Sequence, residues 1–285
     1  MTASKVAAVL NVANPNYSSP YALWHQMRNE VPEQPQTDVQ ARGHYLEPAI
    51  LAWWRDQHPE FPTWREHPTF TLQDWAAATP DGIAGPTLIT AANYRNGSVL
   101  VEAKSDRDDD QWGDPGTDAI PTPYLVQCYW QLHLAGLTTC YVALLGRFLD
   151  FAEYVVTYDP EIGQAMEDRC RAFYDSLAFD TPPPLDDTMA TYEVVRAMHK
   201  GIDLTASVQL DPEWAREYVT ADLALKAADA RARAAKSVVL DVMGDARYAK
   251  CGDVTIARRQ PAKGDSISLR PVCKNVDLIP EGNAA

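Results

Sequence analysis

The run SVLVEAKS at residues 98–105 constrains this chain more than any other stretch. Val99, Leu100 and Val101 make a continuous apolar run of the kind a buried strand carries, and Glu102 and Lys104 follow it without a break. A strand sends successive side chains to opposite faces. Glu102 and Lys104 therefore share one face, and Ala103 points the other way, toward a core. The chain has to build a β-sheet from whose interior charged groups emerge directly. An exposed cross-strand charge pair is the alternative, because Glu-x-Lys triplets are common.

Three further segments supply candidate partners. Asp81 follows Pro80 at the head of PDGIAG. The stretch from LIT through NYRNG to SVLVE reads as a hairpin that would set Asp81 near the Glu102 strand. Glu47 precedes Pro48, and because proline belongs in a first helical turn, a helix is expected to start at or just before Glu47. Ile50, Leu51 and Trp54 then recur at helical spacing, which puts Glu47 near an apolar face, either as a cap or with a buried partner such as a metal. In IPTPYLVQCYWQLHLAGL, Tyr124, Gln127 and Gln131 form one stripe of an otherwise apolar helix. Amides on such a helix are either satisfied core groups or hydrogen-bond partners of something buried. Two carboxylates can hold a divalent cation, and a lysine beside it can meet developing negative charge.

In order and spacing, TASKVAAVLN, SPYALW, GHYLEP, PDG, VLVEAKS and the YLVQ helix resemble the YqaJ-type viral recombinase family over roughly residues 1–178. That family is similar to the lambda-type phage alkaline exonucleases of the PD-(D/E)xK superfamily. The resemblance implies a restriction-endonuclease-like α/β core, a mixed central sheet flanked by helices. It also implies a site made of Glu47, Asp81, Glu102, Lys104 and Gln127. In that site Asp81, Glu102 and the Ala103 carbonyl would bind a metal, helped by Glu47. Lys104 would act on the attacking water and the charge at phosphorus, and Gln127 would position Lys104 or the water. Ser4 matches a serine that, with an arginine a few residues earlier, holds a DNA 5′-phosphate in the family. No residue of this chain stands where that arginine would be. The implied activity is 5′-to-3′ digestion of one strand of duplex DNA, leaving 3′ overhangs for a phage-encoded single-strand annealing protein. A homo-oligomeric ring and the cytoplasm of a bacterial host are implied with it. Two alternatives use the same residues or none of them: a structure- or sequence-specific endonuclease, and an assembly module that docks the annealing protein. Oxygen ligands with no cysteine or histidine among them favour Mg²⁺ or Mn²⁺ over zinc.

Composition narrows the classes further. Five scattered cysteines contain no C-x-x-C pair, which argues against a zinc ribbon or a four-cysteine cluster and fits a reducing compartment. The six histidines show no ligand spacing; His44 and His133 fall near the expected site but read as structural. No apolar run approaches a membrane span, and MTASKVAAVLNVANP lacks the basic and long apolar regions of a signal peptide. It reads instead as an amphipathic helix capped by Thr2 or Ser4. A net charge of −14 is unusual for a protein that holds a polyanion, so DNA contact is expected from local basic groups such as Arg42, Arg107 and Arg147.

The chain is expected to divide into a core at 1–180, a linker at 181–209 marked by TPPPLDD, a helix plus β-hairpin at 210–272, and a flexible tail at 273–285. The long helix starts at Asp211-Pro212 and ends near Gly244, and DVTIARRQ and SISLRPV form the hairpin. The segment 106–119 is acidic, rich in turn formers and expected to be mobile.

Overall fold

The computed structural model of the chain describes residues 1–32, 37–107, 110–264 and 266–279. These fall into two compact units, Met1–Ile202 and Asp203–Ala285.

The first unit opens with α1 (Ala3–Val9), α2 (Pro20–Met27) and α3 (Asp38–Gln57). Four short strands follow: β1 (Thr63–Glu66), β2 (Phe70–Leu72), β3 (Ala76–Ala78) and β4 (Gly82–Gly85). Then come β5 (Val99–Ser105), α4 (Thr122–Ala135), β6 (Thr139–Leu145), β7 (Phe151–Thr157), α5 (Pro160–Ser176) and α6 (Met189–Met198). Five strands form one mixed sheet in the order β1-β4-β5-β6-β7, parallel only between β5 and β6. A parallel neighbour requires a crossover, and α4 provides it. The result is a mixed central sheet flanked by helices, the α/β arrangement that the resemblance implied.

The two-residue period of β5 sorts its side chains between the two helical layers. Val99, Val101 and Ala103 pack with Ile50, Leu51 and Trp54 of α3. Leu100 faces the other layer, with Cys128, Leu132 and Ala135 of α4. Glu102 and Lys104 continue that α4-facing row. A third cluster joins α1, α2, α4 and α5 through Val6, Trp24, Trp130 and Cys170. Gly136, with φ of 65°, ends α4 in the left-handed region that glycine enters without steric penalty.

Several local expectations are corrected. Helix α3 does not start at Glu47. It starts at Asp38, after an N-cap at Thr37 whose capping box with Gln40 satisfies the first backbone donors, and it runs on through Pro48. Pro48 has no N–H to give to the carbonyl four residues earlier, but burial of Ile50, Leu51 and Trp54 beyond it holds the helix together. The arm paired with SVLVE is GIAG, not LIT. Ile83 pairs Leu100, and residues 86–98 form a long connection. Glycines are poor strand formers, but Gly82 lies directly under the Trp64 ring, where a Cβ would come within 2.0 Å of Cη2. Thr2 is the N-cap of α1 and makes no side-chain capping bond. In segment 106–119 the described residues are anchored rather than loose: Trp112 packs on Tyr124 and Tyr154 and donates to Asp106 Oδ2 at 3.1 Å. Residues 108 and 109 of that segment lie outside the described residues. The stretch read as a linker contains α6, capped by Thr188, with Ala190 and Val194 packed on Ala22 and Val31 of the first unit.

The second unit contains α7 (Pro212–Met243), capped by Asp211, and a three-stranded antiparallel sheet of β8 (Tyr248–Cys251), β9 (Val254–Pro261) and β10 (Ile267–Pro271). The expected hairpin is β9–β10, and β8 adds a third strand to it. Along the 32 residues of α7 only Met243 is buried. In the expected tail, Val276–Leu278 makes a single 3-10 turn, and residues 280–285 lie outside the described residues. No helix among the described residues is long and apolar enough to cross a membrane.

Candidate metal centre and active site

Glu102 stands at the centre of the polar cluster. It sits on the α4 side of the sheet and is only 2 % exposed, so it is no surface charge pair. Three donors surround it. Lys104 Nζ donates to Oε1 at 2.6 Å, Gln127 Nε2 to Oε1 at 2.5 Å, and Gln131 Nε2 to Oε2 at 2.9 Å. The lysine comes from the same strand and the glutamines from successive turns of α4, which explains amides on an otherwise apolar helix. A carboxylate has about four lone-pair sites, so three donors leave Glu102 about one for a further ligand.

Lys104 lies 15 % exposed with its ammonium 5.1 Å from the Tyr124 ring centre. Burial by itself would lower its pKa. The carboxylates of Glu102 and Asp81 outweigh that and hold it above the ordinary lysine value. The two carboxylates thus favour the charged form of Lys104.

Asp81 leads into β4, and its Oδ2 accepts the Ala103 N–H at 2.8 Å. That bond places Asp81 beside the Glu102–Lys104 strand. Burial, then the charges of Glu102 and Glu47, push its carboxyl up to about 8, against the lowering effects of Lys104 and the Ala103 N–H. Such crowding of negative charge is what a divalent cation relieves. Glu47, at the middle of α3, turns a 19 % exposed side chain to the same place. One ligand atom each from Glu47, His67 and Asp81 all lie within 4.8 Å of one another. The two carboxylates of that group fit a cation of the Mg²⁺ or Mn²⁺ kind. The Glu102 oxygens are not in that group, being engaged by Lys104 and the glutamines.

His67 is the residue that sequence reasoning missed. It lies in the turn between β1 and β2, and its backbone N–H donates to the Asp81 carbonyl at 3.1 Å. Only its place before Pro68 in REHPTF hints at a shaped turn; no His-x-x-x-His pattern points to it. His44 lies 3.8 Å from the other Glu47 oxygen. His133 instead bonds Tyr158 and Glu167 and serves α4–α5 packing.

Ser4 lines a cleft of about 270 Å³ with Thr2, Ala3, Ala77, Thr79 and Gln127. Its hydroxyl is 3.2 Å from that of Thr2. Since Gln127 also bonds Glu102, the cleft abuts the carboxylate cluster. Arg107 and Arg147 are exposed, Arg147 stacking on Phe148.

Residues 1–138 match the family model of the YqaJ-like viral recombinase domain. The curated proteins contain no match to the sequence. Among solved structures, an alkaline exonuclease from Laribacter hongkongensis, LHK-Exo, is similar at 20% identity and a TM-score of 0.48, over 70% of this chain and 94% of its own. Its complex with dAMP gives 21% and 0.44 over the same shares. A phage related exonuclease from Haemophilus somnus 129PT gives 9% and 0.45, over 62% of this chain and 94% of its own. The family match makes residues 1–138, just under half of the chain, similar to a YqaJ-like viral recombinase domain.

Proposed function

We propose that this protein is a Mg²⁺- or Mn²⁺-dependent exonuclease that digests the 5′-ended strand of linear duplex DNA. The overhang it leaves is a 3′ single strand, the substrate of an annealing protein in phage recombination. The observation that carries this reading is the convergence of Asp81 and Glu47 beside a Lys104–Glu102 pair fixed by two α4 amides.

In this reading Asp81 and Glu47 hold the cation, with the Ala103 carbonyl and the remaining Glu102 lone pair available to it. When bound, the cation supplies an activated water and neutralises charge on the scissile phosphate. Lys104, whose charged form the neighbouring carboxylates favour, stabilises the negative charge that builds at phosphorus. Gln127 and Gln131 keep Glu102, and through it Lys104, in one rotamer, so no reorganisation is needed as charge develops. Ser4 offers a hydroxyl donor in the cleft that Gln127 shares, where a terminal 5′-phosphate would sit. A ring of subunits around the duplex would let a chain of net charge −14 stay bound with few basic groups per copy.

The test is digestion of 5′-labelled linear duplex with and without Mg²⁺, with 5′-phosphate, 5′-hydroxyl and covalently closed substrates in parallel. Linear DNA with a 5′-phosphate should be cut fastest, and closed circles not at all. Asp81→Ala and Glu102→Ala should each leave less than a few per cent of the rate with the fold intact. Equal rates on linear and closed DNA would instead show an endonuclease using the same residues.

A further inference from the structure

We propose that His67 is itself a ligand of the metal held by Glu47 and Asp81, making the centre a mixed nitrogen–oxygen site that prefers Mn²⁺ to Mg²⁺. The proposal rests on reading Glu47 and Asp81 as metal ligands. Three observations carry it. First, His67 Nε2 lies 3.6 Å from Glu47 Oε1, beyond hydrogen-bond length, so that carboxylate does not engage the nitrogen in a hydrogen bond. Second, ligand atoms of His67, Glu47 and Asp81 fall within 4.8 Å of one another. Around an octahedral cation with bonds of about 2.1 Å, neighbouring ligands stand about 3.0 Å apart, so a shift of about 1 Å in each atom gathers all three. Third, the backbone holds the ring there at some cost. His67 adopts φ of 44°, in the left-handed region that non-glycine residues rarely enter, and it does so immediately before Pro68. Its N–H is tied to the Asp81 carbonyl, so the turn and the carboxylate ligand move as one piece. The ring, 56 % exposed, is held beside the two carboxylates by the turn and its bond to Asp81 and not by core packing.

The chemical consequence is selectivity. Mg²⁺ takes oxygen ligands almost exclusively and keeps its waters, whereas Mn²⁺ accepts imidazole and binds most mixed sites more tightly. The competing explanation is that a protonated His67 is merely a counter-charge for Glu47, in which case it would be expelled when a cation arrives.

Mn²⁺ serves as both probe and ligand. Electron spin-echo envelope modulation of Mn²⁺-loaded full-length protein detects directly coordinated nitrogen, independently of any nuclease activity. The wild type should show strong ¹⁴N modulation, changed to the ¹⁵N pattern when histidine is ¹⁵N-labelled. His67→Asn tolerates the left-handed φ and should abolish the signal, whereas His44→Ala should keep it. Titration should show Mn²⁺ affinity of His67→Asn down about tenfold or more, with Mg²⁺ affinity changed far less. Mn²⁺ binding without nitrogen modulation would overturn the role of His67 while leaving the carboxylate site standing. Absence of any Mn²⁺ binding to the wild type would overturn both readings.

Discussion

At the scale of single residues the site is an exercise in charge balance. Lys104 is held protonated by Glu102 and Asp81, so its positive charge rather than its bulk should matter. Lys104→Met is expected to bind DNA and metal yet lose about 10²–10³ in single-turnover rate. A variant that cuts at the wild-type rate would reduce Lys104 to a structural partner of Glu102. Asp81 makes a separate prediction about stability. Its carboxyl titrates near 3.8 when the chain is unfolded and near 8 in the folded, metal-free protein. Between these values the folded state holds more protons than the unfolded one. The stability Asp81 contributes is therefore complete below about pH 4 and lost as pH rises through about 8. In chelator, thermal melts of the wild type should decline across that window, and those of Asp81→Asn should be flatter. Parallel curves for the two proteins would contradict the crowding of Asp81 by Glu102 and Glu47.

At the scale of elements, β4 decides where Asp81 stands. Its four residues, GIAG, have little strand propensity, and the pairing survives because small side chains admit the Trp64 ring from β1. Gly82→Ala puts a methyl group into that ring. We expect a loss of about 1–3 kcal/mol in urea denaturation, partly restored by Trp64→Leu in the same chain. The metal affinity of Gly82→Ala should fall with it, because Asp81 immediately precedes the displaced strand. No change in either quantity would mean that Trp64 can move aside without disturbing β4. Helix α3 makes a related point. A proline that by local rules marks a helix start is carried in mid-helix because the apolar contacts of Ile50, Leu51 and Trp54 outweigh one missing hydrogen bond.

At the scale of the molecule, the burial is unevenly shared. Four apolar clusters lie wholly within Met1–Ile202, whereas the second unit buries little beyond Met243 and Ala257. A chain ending at residue 202 is therefore expected to fold, with a melting temperature within a few degrees of that of the same unit in the full chain and with Mn²⁺ affinity retained. If residues 1–202 are unfolded by circular dichroism, the first unit does not carry its own stability.

How much of this the sequence carried follows from the range of each interaction. The strand at 99–105, the alternation of its side chains between two faces, and the placing of Glu102 and Lys104 together on one of them follow from a period of two residues, a local property. The amide stripe of α4 follows in the same way from a period of 3.6. Neither period says where α3 begins, that GIAG is the partner strand, or that the stretch at 189–198 packs back on α2. Each of those depends on a contact with a distant segment: Trp54 on the sheet, Trp64 on Gly82, Thr191 on Ser19 at 2.7 Å. The meeting of Glu47, His67 and Asp81 is the extreme case, since a helix, a turn and a strand entry each bring one ligand atom. A pattern read along the chain records only neighbours, and these three become neighbours only when the sheet closes.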